Sequence, residues 1–324
     1  MKKTRKRVLI MLSVLILVLV ALIGGLRILE STVLLPQQEE LPAASKTITR
    51  NGVSYFPRQD ITTLLIMGID ETGPVKASGS YRNTGESDVV MLMIFDEKNE
   101  SYSILALNRD TMLKMPALGL GGKQAGTFYG QLALSHTYGS GLEDSCENTC
   151  NTVSEFLNGI TIDYYIAMNM DAIGIMNDAV GGVKVNVTAD FSRVDPSIKM
   201  GEMVLDGNQA RTYIQTRRDV GNQLNLSRME RHGDYMKGFV EALRVRMDSN
   251  DTFILDAYEK VSPYLVTDCS ANTLSGMVKR YTNYTIGEIV SPAGRNVLTE
   301  EYYEFHVDEE QLQDLVLRLF YREK

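Results

Sequence analysis

Histidine and cysteine are scarce in this 324-residue chain, with three of each. His136, His232 and His306 share no ligand spacing with Cys146, Cys150 and Cys269, so a zinc site is not expected. Basic residues are also few once the start of the chain is set aside. Six of the 33 lie in the first 27 residues, which carry no acid, leaving 27 against 41 acids and a remainder near −14. A body that acidic excludes non-specific nucleic-acid binding, which needs a positive surface. No Gly-x-Ser-x-Gly elbow and no Ser–His–Asp set is present. Gly119-Leu120-Gly121-Gly122-Lys123 is no nucleotide loop, because its spacing is wrong and Gln124 stands where Ser or Thr is needed. No internal repeat is visible.

One long apolar stretch is present. Val8 to Leu26 is an uncharged run of 19 residues, long enough to span a bilayer as a helix. The Lys-Lys-Thr-Arg-Lys-Arg cluster before it favours a cytoplasmic start and an external body. A cleaved signal peptide is the competing reading, but the run is long for one and the small residues Ala43-Ala44-Ser45 lie far beyond it. The expected organisation is a basic tip and membrane anchor over 1–30, a proline-containing linker over 31–58, and one domain over 59–324. An external body permits a Cys146–Cys150 disulfide, although buried free thiols are the simpler expectation.

Within the body, apolar runs at 61–70, 88–96 and 101–108 read as strands, with a hairpin turn at Asp96–Glu100. The Gly- and Met-rich segment 111–128 reads as a loop, followed by helical patterns at 129–138 and 145–158. A strand at 163–169, a short helix, and a turn with a strand through Val187 come next. Asp206 is a candidate N-cap for a helix over 206–217, and a long helix covers 227–247. Past residue 250, two helical patterns, a strand-like Glu-Tyr-Tyr-Glu-Phe-His-Val and a helix at 308–321 complete the same domain. Strands alternating with helices give an α/β or α+β sheet with helices packed on it.

Arginine is concentrated in one stretch. Arg217 and Arg218 precede Arg228 and Arg231, and the last two share a helix face. Planar guanidinium forks gathered in one place suit phosphate oxygens. The plain alternative is a solvated charged face. Arg109 and Asp110 follow a strand directly, where α/β proteins place chemistry, or form a surface pair of little worth. Asp70 closes one strand and Asp88 opens the next. Together they could hold magnesium beside a phosphate, or simply cap turns.

These segments, in this order, resemble the LytR–CpsA–Psr proteins of bacterial envelopes. The resemblance rests on Leu-Leu-Ile-Met-Gly-Ile-Asp (64–70), Glu-Ser-Asp-Val-Val (86–90), Asn-Arg-Asp-Thr (108–111), the block 159–187, and the arginine-bearing close around 205–236. It runs from about Thr62 to Leu243, with 250–324 as an extension outside it. It implies a three-layer α/β/α fold with a central mixed sheet, preceded by a single transmembrane helix and enclosing an apolar tunnel. It implies transfer of an anionic glycopolymer, of teichoic acid or capsular type, from a polyprenyl diphosphate to peptidoglycan through a phosphodiester. In this reading Asp70 and Asp88 hold Mg2+, and Arg109, Arg217, Arg228 and Arg231 grip the diphosphate. Asp110 orients Arg109 or takes the acceptor proton.

The chain departs from the family pattern in places. Glu86 stands where an arginine is common, with Arg82 as a substitute grip; Gln215, Arg218 and His232 are further departures. Glu86 near a diphosphate opposes binding and keeps open a module that holds such lipids without turnover.

Overall fold

The computed structural model describes residues 47–119, 123–216, 220, 225–249, 253–300 and 302–323, without the side chains of 225, 226, 248 and 249. The expected anchor, Arg217 and Arg218 lie outside the described residues. No helix among the described residues is long and apolar enough to cross a membrane.

In chain order the strands are β1 (Ile48–Arg50), β2 (Val53–Pro57), β3 (Ile61–Ile69), β4 (Ser87–Asp96), β5 (Ser101–Leu107), β6 (Met112–Leu118), β7 (Gln124–Gln131) and β8 (Tyr164–Asn169). They continue as β9 (Val183–Val187), β10 (Gly201–Leu205), β11 (Leu265–Thr267), β12 (Thr285–Val290), β13 (Gly294–Leu298), β14 (Tyr303–Val307) and β15 (Tyr321–Glu323). The helices are α1 (Glu143–Phe156), α2 (Met170–Ala179), α3 (Gly207–Gln215), α4 (Asn225–Ser249), α5 (Phe253–Val261), α6 (Ala271–Tyr281) and α7 (Glu309–Phe320).

A mixed sheet of six strands, ordered β11-β8-β3-β4-β5-β12, forms the centre. β3, β4 and β5 are antiparallel neighbours, while β8 joins β3 and β12 joins β5 in parallel. The near-continuous apolar run of β3 follows from burial on both faces. Leu65, Met67 and Ile69 pack on one side with Val153 of α1, Leu312 and Val316 of α7, and Leu113 and Met115 of β6. Leu64 and Ile66 pack on the other with Met229 and Met236 of α4 and Met277 of α6. Helices therefore cover both faces, as expected.

Asp206 caps α3 in a full capping box with Gln209. Val183, Val185 and Val187 alternate inward along β9, against Tyr213 and Tyr235. α4 crosses β9 at Gly238, where a Cβ would stand 2.1 Å from the carbonyl of Lys184. Only glycine permits that approach, against the helix's preference for other residues.

Three expectations need correction. Segment 111–128 is no loop, because β6 and β7 form an antiparallel hairpin from Met112 opposite Gln131. Alternation at Leu113, Lys114 and Met115 carries the strand; the Gly119 amide donates to the Lys123 carbonyl, and Gly126 lies within β7. The helix expected at 129–138 is a short 3-10 turn over Leu132–Thr137. The linker expected to reach residue 58 gives way at Ile48 to β1 and β2, and β2 pairs with β15 at the far end of the chain. Residues past 250 supply β11 and β12, both edge strands of the central sheet. All three cysteines are free.

Gly238→Ala is expected to cost about 1–3 kcal/mol despite alanine's better helix propensity. Urea unfolding with an unchanged m-value checks this; no loss of stability would contradict the close crossing of α4 over β9.

Candidate functional site

The site begins with an irregularity in the β3–β4 ladder. Gly68 faces Val89 and Ile69 faces Ser87, which leaves Asp88 as the extra residue of a bulge. A bulge re-aims the side chain it carries. Gly68 lies opposite it in close packing, since a Cβ there would sit 3.0 Å from the Val89 side chain. The segment leading into the bulge is braced from behind. The buried His136 Nδ1 lies 2.8 Å from the Gly85 carbonyl, so this nitrogen carries the proton and donates. Burial also holds the His136 pKa below its ordinary value, which keeps the ring neutral.

Asp88 receives two arginines. Its side chain is 11% exposed and forms ion pairs with Arg109 at one oxygen and with Arg228 at the other, the second at 2.9 Å. Arg228 also donates to the Asp88 carbonyl at 3.0 Å. Arg228 sits on α4 and is 3% exposed, so the solvated-face reading of this helix is wrong. A guanidinium so deeply buried requires a charged partner. Arg109, just past β5, has Glu86 at 2.6 Å and Asp110 at 3.4 Å from its nitrogens. It is no surface pair, since Asp110 is 3% exposed. Gln131 of β7 donates to Asp110 at 3.4 Å.

The other expected residues are placed differently. Asp70 is exposed, and its amide donates to the Glu86 carbonyl at 2.9 Å, which puts it at the same sheet end as Asp88. Arg231 is buried and spends its donors on carbonyls: Tyr213 at 3.2 Å, Ser227 at 3.4 Å, and Thr216. Its guanidinium carbon lies 5.6 Å over the Phe191 ring. Burial lowers its pKa to about 10, so it stays charged at neutral pH. It ties the end of α3 to α4. Arg82 stacks over Tyr138 at 4.3 Å. Glu86, not Arg82, occupies Arg109.

An apolar cavity of about 300 Å³ opens beside this cluster. Gly68 and Val89, which flank the bulge, line it together with Met91, Ile166, Met168 and Met236. It lies between the sheet and α4, on the face opposite α1 and α7. His232 also lines it; its Nε2 donates to the Ile214 carbonyl at 3.0 Å, and burial followed by the charge of Arg228 lowers its pKa to about 3. The family resemblance implies such a chamber, but its lining is not assignable from composition because the methionines and isoleucines read as ordinary core. The contacts of Gln131 and the bracing role of His136 are carried by no motif.

Among the described residues no group of three or more His, Cys, Asp or Glu side chains is arranged to hold a metal. Magnesium is commonly held by one or two carboxylates plus phosphate oxygens. Asp70 and Asp88 stand at the same sheet end, but both Asp88 oxygens are taken by Arg109 and Arg228, so the pair could serve an ion only where phosphate oxygens complete its shell.

The chain matches the LytR_cpsA_psr family over residues 35–320. It belongs to that family. The match takes in β1, β2 and most of the segment past 250, so the LytR–CpsA–Psr domain extends beyond the 62–243 expected from motifs. Among curated relatives, the teichoic acid transferase TagV of Bacillus subtilis is 26% identical over 296 residues, covering 89% of this chain and 70% of that protein. TagU of Enterococcus faecalis is 28% identical over 222 residues, covering 68% and 65%. The chain thus spans slightly less than two thirds of that TagU. The crystal structure of B. subtilis TagV matches with a TM-score of 0.63 at 24% identity, over 81% of this chain and 96% of that one. A structure of TagT bound to LIIa-WTA matches with a TM-score of 0.62 at 22% identity, over 81% and 90%. These likenesses establish a shared LytR–CpsA–Psr fold.

His232 yields a pH prediction. Between its ordinary value near 6.5 and its folded value of about 3, the unfolded chain takes up a proton that the folded state refuses. Stability contributed by the neutral ring is full above about pH 6.5 and falls as pH drops toward 3. His232→Gln is expected to flatten the loss of thermal midpoint between pH 7 and 4.5. An unchanged slope would show that His232 is not held neutral.

Proposed function

We propose that this protein transfers an anionic glycopolymer from a polyprenyl diphosphate to peptidoglycan. The observation that carries the reading is the Arg109–Asp88–Arg228 cluster next to Val89, which lines the apolar cavity. Guanidinium forks held in place beside a greasy chamber suit a diphosphate with a prenyl tail, whose oxygens would take over from the carboxylates that now hold them. Curated relatives named polyisoprenyl-teichoic acid–peptidoglycan teichoic acid transferases support it.

In the proposed reaction an acceptor hydroxyl oxygen forms a bond to the phosphorus next to the glycopolymer. The bridging P–O bond breaks, polyprenyl phosphate leaves with the electron pair, and the hydroxyl proton passes to the leaving phosphate or to solvent. Such transfer depends on positioning and on neutralising charge, which preorganised guanidiniums supply without rearranging. Arg109 and Arg228 are the groups that meet the diphosphate. Asp110, buried and held by Gln131, orients Arg109. A magnesium ion at Asp70 and Asp88 would supply further neutralisation of the phosphate oxygens. The run Val8–Leu26 would anchor the N-terminus in the membrane, with the body outside and close to a lipid-borne donor.

Glu86 favours a second reading, a binding module without turnover, because it already occupies Arg109. The full chain in detergent, with lipid-linked glycopolymer, peptidoglycan and magnesium, separates the two. Phosphodiester product with released polyprenyl phosphate supports transfer; retained lipid with no product leaves only binding. Arg109→Ala is expected to lower transfer at least about 100-fold, with the fold kept, since Arg228 still pairs Asp88. Normal turnover in that variant would remove Arg109 from the reaction.

Magnesium dependence is best tested at exposed Asp70, where Asp70→Asn should raise the ion concentration needed; an unchanged titration contradicts the assignment. Asp88→Asn is expected instead to cost about 3–5 kcal/mol of stability by stranding a buried guanidinium.

A further inference from the structure

Two hairpins beside the site carry side chains that the reaction does not use. Tyr129 on β7 is 64% exposed, and Tyr302 and Tyr303, at the start of β14, are also exposed. These residues are bound to the site by short links. Gln131 lies two residues beyond Tyr129 on the same face of β7, and donates both to the Tyr303 carbonyl at 2.7 Å and to Asp110. Phe305 donates its amide to the Asp110 carbonyl at 2.8 Å and bridges to Thr111. Lys114, exposed, pairs across the hairpin with Tyr129.

We propose that this tyrosine surface is the docking site for the glycan strand of the acceptor, a reading that rests on the transfer activity above. Geometry supplies the first reason. In phosphoryl transfer the attacking and leaving oxygens lie roughly in line, so the acceptor must approach from the side opposite the lipid. The apolar cavity lies on one face of the central sheet, and β6 packs its Leu113 and Met115 on the other. The charge cluster thus stands between the chamber for the tail and the two hairpins.

Chemistry supplies the second reason. A tyrosine ring offers a flat apolar face and a hydroxyl at its edge, as a pyranose offers a C–H face and equatorial hydroxyls. Rings of this kind provide contact area with little loss of side-chain freedom. The surface is continuous with the Arg109–Asp110 turn, so a strand lying on it brings a hydroxyl toward the diphosphate.

The test uses the full chain in detergent and purified peptidoglycan sacculi stripped of teichoic acid. A Tyr129→Ala/Tyr303→Ala double variant is expected to bind sacculi roughly tenfold more weakly in co-sedimentation. The matching Tyr→Phe pair should retain binding, and farnesyl diphosphate affinity and the thermal midpoint should not move in either. Sacculus binding by the alanine pair equal to wild type would overturn the proposal. So would loss of binding to anionic vesicles with sacculus binding intact, which would mark a membrane-facing surface. The two proposals fail separately: tyrosine-dependent sacculus binding without phosphodiester product sinks only the transfer reading, and product with tyrosine-independent binding sinks only this one.

Discussion

The Asp88 carboxylate, shared between Arg109 and Arg228, is the contact on which the site depends. Two guanidiniums from distant parts of the chain are held within reach of each other only because one carboxylate lies between them. In low-dielectric surroundings like charges repel strongly, and their convergence needs a counter-charge in place. The bulge in β4 carries that counter-charge, and Gly68 on β3 lies against the neighbouring Val89. A backbone irregularity of one residue thus sets the electrostatics of the pocket.

Around this contact the sheet separates two environments. One face meets α1 and α7 in a packed core. The other meets α4 across a void that its side chains do not fill. Protein interiors are normally close-packed, so a large apolar void beside a charge cluster calls for an occupant with both characters. In the proposed transfer that occupant is an amphiphile with a long apolar tail and an anionic head.

The central strands and the long arginine-bearing helix were legible because periodicity and apolar runs are local properties of sequence. Asp206 was legible as a cap for the same reason, its partner Gln209 lying three residues away. What stayed hidden was non-local. The β6–β7 hairpin was obscured by glycines in its sequence, Gly126 within β7 among them, and β1 and β2 by their dependence on β15 more than 260 residues later. The convergence of Arg109, Asp88 and Arg228 was suggested by composition and family resemblance, but Arg231 shows the limit of that route. It shares a helix face with Arg228, yet it serves the backbone of α3, because which donor meets which acceptor is decided by tertiary packing. Glu86 likewise looked like a misfit in a phosphate site, whereas it forms one wall of the Arg109 clamp.

The pairing of β2 with β15 has a mechanical consequence. Any pull on the chain ahead of Ile48 enters the body along β1 and β2 and is shared at once with the strand that follows α7. Antiparallel strands held side by side resist such a load through several backbone hydrogen bonds together. The central sheet and the charge cluster lie further along the chain, sheltered from strain arriving at its leading end.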